Sequence, residues 1–166
     1  MMPLTGIAVV RLTDRGWNEA RHRLSSRDKL LPHVTFALDA AYFASTDRVR
    51  SVIMACASWE TALRYFLANV AVNRDPAYLI ASRGGNIPRL LDFVRTAKGG
   101  DLFYEYYGTG ADSHYDRQRE YIEGLPTLRN KILHEAHTAI PPGMAIEYVL
   151  AVLNATDWLF AGVSTP

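Results

Sequence analysis

Arg129, Asn130 and His134 fall within six residues of one another, inside the run Leu125-Pro-Thr-Leu-Arg-Asn-Lys-Ile-Leu-His-Glu-Ala-His137. An obligate cation, an amide and a titratable imidazole on little more than one helical turn are the groups needed to hold a phosphodiester and move a proton, with no metal or other cofactor required. On an α-helix, advancing roughly 100° per residue, Leu125, Leu128, Ile132, Leu133 and Ala136 fall on one apolar arc. Asn130, His134 and His137 share a polar face, with Thr127 beside them. Arg129 projects from within the apolar arc, between Ala136 and Leu133. An isolated buried charge is costly, so Arg129 must reach an edge, pair with a carboxylate, or face a cleft or a second subunit. Periodicity alone also suits a plainer use, in which Arg129 pairs or caps carbonyls and His134 sits at the negative end of a helix.

The elements that position these groups are helical. Val49, Val52, Ile53, Cys56, Leu63, Phe66, Leu67 and Val70 recur at three- and four-residue steps, which predicts a long helix from about Asp47 to Val72. Thr46 is its expected N-cap, and Asn73-Arg74-Asp75-Pro76 its end, because the residue before proline is pushed out of helical geometry. Pro32 opens a shorter antiparallel partner, His33 to Ala44. A further helix is predicted from Ile87 to about Lys98, capped by Asn86, with Pro88 in its first turn and Gly99-Gly100 as its stop. Gly124-Leu125-Pro126 opens the segment that carries the motif. Pro141-Pro142-Gly143 separates it from a last amphipathic helix, Met144 to Phe160, marked by Val149, Val152, Leu153, Leu159 and Phe160. Ile7-Ala-Val-Val10 reads as a short strand or a packed arm. The expected organisation is an N-terminal arm or short helix over 1–32, an all-α bundle of four to six helices over 33–161, and a tail over 162–166, with the longest irregular stretch around Asp101 to Ser113.

Bulk properties narrow the function. The chain has 166 residues and 49% hydrophobic residues, enough for a single domain with its own core. A net charge of +1 argues against binding long duplex DNA through a global positive field, while a local anion site needs only a few well-placed cations. The single cysteine, Cys56, excludes an internal disulfide framework and a Cys-rich zinc site, and its place on an apolar helix face reads as a small buried thiol. No apolar run reaches membrane-spanning length and no signal-peptide stretch opens the chain, so the expectation is a cytoplasmic protein with no membrane partner.

Arg129-Asn130-(three residues)-His134 resembles the Arg-x(4–6)-His signature of HEPN domains (higher eukaryotes and prokaryotes nucleotide-binding), including the polar residue that commonly follows the Arg. The order of elements also resembles the HEPN bundle over roughly residues 33–161: a long early helix reading Ala57-Ser-Trp-Glu60-Thr-Ala-Leu-Arg64-Tyr-Phe-Leu67, the motif on a late helix, then a final amphipathic helix. The resemblance implies a metal-independent endoribonuclease that acts on RNA as a homodimer, its two motifs meeting at the interface. It implies His134 as general base or acid, Arg129 as the stabiliser of phosphoryl charge, and Asn130 as the residue that fixes His134 or binds phosphate. Products would be a 2′,3′-cyclic phosphate and a 5′-hydroxyl, in a toxin–antitoxin or phage-defence setting with an antitoxin or defence-system partner. A catalytically inactive nucleotide-binding or protein-interaction module is the alternative. Glu60 and Arg64 are supporting candidates, Glu60 either orienting Arg129 or His134 or forming only an i,i+4 pair with Arg64. Some HEPN toxins carry a Tyr two residues after the motif His, as a site of modification; this chain has Ala136 there.

Other signals are weaker. His134 and His137 are three apart and do not form the His-Glu-x-x-His metal pattern. Phe103, Tyr104, Tyr106 and Tyr107, with Tyr115, Arg117, Arg119 and Tyr121, offer either base-stacking surfaces or a loop packed on the bundle. Arg83-Gly84-Gly85 lacks the P-loop lysine pattern and reads as a turn.

Overall fold

In a computed structural model the chain divides into two units, Met1–Leu31 and Pro32–Pro166. The structure describes residues 30–99 and 113–161, with side chains from Gln118 onward in the second stretch. The arm with Ile7–Val10, the irregular stretch from Asp101, the aromatic run Phe103–Tyr107, the side chains of Tyr115 and Arg117, and the tail lie outside the described residues.

Among the described residues the structure is all-α, with six helices and no strand. They are α1 (Pro32–Phe43), α2 (Arg48–Asn69), α3 (Ala77–Arg83), α4 (Ile87–Lys98), α5 (Ser113–Glu135) and α6 (Met144–Phe160), with a short 3-10 turn, Ala71–Asn73, after α2. α2 is the central element and packs against all five others. The core is built from its Trp59, Leu63 and Leu67, from Leu90 and Val94 of α4, Ile122 and Leu125 of α5, and Val152 and Leu159 of α6.

Ser51, Ala55, Ser58 and Ala62 recur at four- and three-residue steps and are all buried, giving α2 one face of small residues against which α1 can pack closely. The two buried hydroxyls on that face are satisfied by α1 itself: Ser51 donates to the Ala40 carbonyl at 2.7 Å and Ser58 to the His33 carbonyl at 2.8 Å. Lys98, at the end of α4, donates to the carbonyls of Trp158 and Leu159 at 2.9 and 3.0 Å and lies 3.9 Å from the centre of the Trp158 ring. One cation thus caps the end of α6 and ties it to α4.

Most predicted boundaries appear as expected. Pro32 opens α1, Asn86 caps α4 by accepting from Arg89 N–H at 3.2 Å, and Gly99 ends α4 in the left-handed region at φ 80°. The N-cap of α2 is Asp47 and not Thr46. The amides of both residues return to the Phe43 carbonyl, so the turn closes at Asp47, whose carboxylate accepts from Arg50 N–H at 3.0 Å. α3 is an element the apolar periodicity does not predict; Asp75 precedes it and accepts from Ala77 N–H at 2.8 Å. The motif helix does not begin at Pro126 either. α5 runs through that proline from Ser113, because buried Gln118, Ile122 and Leu125 hold the preceding turns against the bundle and offset the lost backbone bond. Leu133 and Leu153, expected on apolar arcs, are 50% and 40% exposed: the apolar faces of α5 and α6 are wider than the surfaces they bury.

His33 is buried on α1, its ring stacked on Phe160 at 5.4 Å and tilted against Tyr65 at 5.6 Å, with no hydrogen-bond partner for Nδ1 among the described residues. Burial favours the neutral ring and lowers its pKa below the ordinary value of 6.5. The unfolded chain therefore takes up this proton first, and stability falls as pH drops from about 6.5 through the lower folded-state pKa. Denaturant midpoints of His33→Phe should fall less over that window than those of the wild type; parallel curves would show that His33 does not carry the dependence.

Candidate functional site

The buried residues of α5 are Gln118, Ile122, Leu125 and Ile132. Their spacing of four, three and seven leaves one gap in an otherwise regular seam, and Arg129 fills it. A guanidinium therefore occupies a position where the pattern calls for an apolar side chain. Arg129 is exposed and makes no ion pair among the described residues; its Nη1 reaches Asn130 Oδ1 at 3.4 Å.

In place of a counter-ion, Arg129 meets a groove of about 380 Å³. α2 supplies Cys56 and Glu60, the turn into α4 supplies Gly85, Asn86, Ile87 and Pro88, and α5 supplies Pro126, Thr127, Arg129 and Asn130. Cys56 is 2% exposed, and burial pushes its thiol up to about 11, with Arg129 lowering and Glu60 raising it by smaller amounts. At neutral pH the thiol is protonated and presents a neutral, unreactive surface.

Glu60 and Arg64 do form the i,i+4 pair, and the pair also shapes the groove. Arg64 donates from Nε and Nη2 to Glu60 Oε1 at 3.1 and 2.7 Å, and from Nη1 and Nη2 to the carbonyls of Ser82 and Gly85 at 2.7 and 3.0 Å. One guanidinium thus fixes both the carboxylate and the α3–α4 turn that forms the opposite wall. Gly85 sits at φ +84°, and a Cβ there would come within 3.1 Å of the Arg89 side chain, so the Arg83-Gly84-Gly85 turn needs glycine at its last position. Asn86 lines the groove, and its side-chain oxygen accepts at the α4 cap, which leaves its amide N–H groups unbonded among the described residues.

The structure brings Arg129, Asn130 and Glu60 together around the groove, with Arg64 behind them. His134 is not part of the groove wall; it is exposed in the last turn of α5. Ala136 lies beyond the helix, not on its apolar arc, because α5 ends at Glu135 and Ala136 takes φ 51° while His137 N–H returns to the Lys131 carbonyl at 3.3 Å. Of the aromatic and cationic residues near the start of α5, Arg119 pairs with Glu123 at 2.9 Å and Tyr121 packs edge-on to Tyr148 at 4.8 Å. Among the described residues no three of His, Cys, Asp and Glu converge as metal ligands, and no helix is long and apolar enough to cross a membrane. The groove walls Gly85, Asn86, Pro88 and Thr127 were not read as site residues; the cap signal at Asn86 marked a helix start without saying what stands opposite it. No family model, curated protein or solved structure matches the chain.

Two outcomes follow from this geometry. Arg64→Met should lower stability by about 1–2 kcal/mol in denaturant unfolding, a value discounted for the partial exposure of the pair; an unchanged midpoint would show that the clamp does not hold the turn. Ala136→Gly should raise stability by about 0.5–1 kcal/mol by relieving the left-handed residue, net of glycine's greater freedom when unfolded. A lower melting temperature would contradict the cap geometry.

Proposed function

We propose that this chain is a metal-independent endoribonuclease of HEPN type, acting on RNA as a homodimer, with Arg129, Asn130 and His134 as its catalytic residues. The observation that carries the reading is the placement of Arg129: a seam-position guanidinium with no carboxylate partner among the described residues, lining an open groove beside an amide. Its planar fork suits two phosphoryl oxygens.

In this mechanism an imidazole removes the proton of the ribose 2′-hydroxyl, and the 2′-oxygen bonds to phosphorus. The bond from phosphorus to the 5′-oxygen breaks, and a second imidazole protonates that oxygen. The products are a 2′,3′-cyclic phosphate and a 5′-hydroxyl. Arg129 stabilises the charge that grows on the phosphoryl oxygens. His134 lies outside the groove of its own protomer, which favours a composite site with the exposed α5 faces of two copies opposed. Leu133, 50% exposed between Asn130 and His134, supplies an apolar contact for that interface. The resemblance places such an enzyme in a toxin–antitoxin or phage-defence setting, in the cytoplasm, and Ala136 removes the Tyr-modification route of control.

The same exclusion of His134 from the groove supports the second reading, a nucleotide-binding or protein-interaction module without cleavage. Incubation of RNA with the protein in excess chelator separates the two. Arg129→Ala and His134→Ala should each slow cleavage by at least about 10²-fold with the fold retained. Cleavage that persists in either variant, needs a divalent ion, or comes from a strict monomer by light scattering would overturn the mechanism. Absence of cleavage would favour the module.

A further inference from the structure

The groove beside Arg129 has a chemistry more selective than phosphate binding requires. Glu60 is the acceptor on its α2 wall, and it is held firmly: both Arg64 donors that reach it land on Oε1, and Arg64 is itself anchored by the Ser82 and Gly85 carbonyls. Oε2 accepts no bond among the described residues. A carboxylate facing a groove also lined by Arg129 works against an anion at that spot, yet the two groups are not paired with each other. The arrangement suits a ligand with a donor-rich edge for Glu60 and an anionic group for Arg129.

The remaining walls restrict that ligand further. Ile87, Pro88 and Pro126 give the groove apolar flanks, and the buried, protonated Cys56 adds no charge. Asn86 and Asn130 line the groove and each accepts with its side-chain oxygen from an arginine of this chain, Arg89 N–H and Arg129 Nη1, which leaves their amide N–H groups unbonded among the described residues. A volume of about 380 Å³ falls at the small-molecule end of binding sites. An apolar body, adjacent donors, a neighbouring acceptor and an attached phosphate together describe one nucleotide.

We propose that the groove seats a guanine nucleotide of the RNA, with Oε2 of Glu60, the oxygen that Arg64 leaves open, accepting from the base N1–H and 2-amino group through its two lone pairs while Arg129 holds the phosphate. Guanine is the base whose pairing edge places two donors side by side, with O6 next to them for an amide such as that of Asn86. Uracil offers one donor between two carbonyl oxygens that a carboxylate repels. Adenine and cytosine each set an amino group beside a ring nitrogen whose lone pair opposes Glu60. The assignment rests on the ribonuclease reading for its RNA context and makes Glu60 a residue that determines specificity.

The test measures cleavage and binding separately. In cleavage, a mixed-sequence RNA should be cut next to guanine, and replacing that guanine with inosine, which lacks the 2-amino group, should slow the cut by roughly tenfold or more. In Glu60→Gln, which keeps the shape and one acceptor oxygen, guanine should be cut more slowly than by the wild type, and guanine and inosine should be cut at similar rates. Base-independent cutting by the wild type, or an unchanged guanine preference in Glu60→Gln, overturns the proposal and leaves the ribonuclease reading intact. If no RNA is cut, calorimetry with guanosine, inosine and uridine monophosphates still decides it. Binding of guanosine monophosphate at least roughly tenfold tighter than the other two supports the proposal, and equal or absent binding overturns it. The inosine comparison needs only the wild-type chain, so a folding defect in Glu60→Gln does not block the test.

Discussion

A guanidinium cannot be sealed into an apolar seam without a partner, and that constraint organises the face of the bundle where α5 meets α2 and α4. Ile122, Leu125 and Ile132 draw α5 onto the core, and Arg129 occupies the position between them where burial would complete the seam. Stripping it of water without a counter-ion would cost more than another apolar contact gains. The helices therefore stay open at this level, and the opening is the groove. The break in the α5 seam and the site thus have one origin.

α2 supplies the other half of the arrangement because it is used on several sides at once. Its small-residue face takes α1 closely, its large residues fill the centre, and its next face carries Cys56, Glu60 and Arg64 at four-residue steps toward the groove. Arg64 joins that face to the α3–α4 turn through two backbone carbonyls while holding Glu60. An exposed i,i+4 pair contributes little by itself; the added carbonyl bonds turn this one into a brace for two walls of a binding site.

Local signals in the chain were read well where their physics is local. The starts at Pro32 and Asn86, the glycine stop after Lys98 and the extent of Met144–Phe160 each depend on one or two residues acting on their own backbone. Reading failed where a neighbouring element outweighed the local preference. Pro126 signals a helix start, yet the packing of Gln118, Ile122 and Leu125 carries α5 through it. The short α3 has too few residues for a clear period. Leu133 shares the apolar arc of α5 but meets no helix there.

By itself the sequence determined an all-helical bundle over the described residues, a buried thiol, and an arginine placed against the hydrophobic pattern beside an amide and an imidazole. Those are consequences of residue type and helical pitch, which act over a few residues. Only the tertiary structure decided that Arg129 faces a groove, that Glu60 is held by Arg64 with one oxygen unengaged, that Asn86 stands across from them, and that His134 lies outside. Residues from Cys56 to Asn130 meet there because three helices pack at particular angles, and no spacing along the chain encodes those angles.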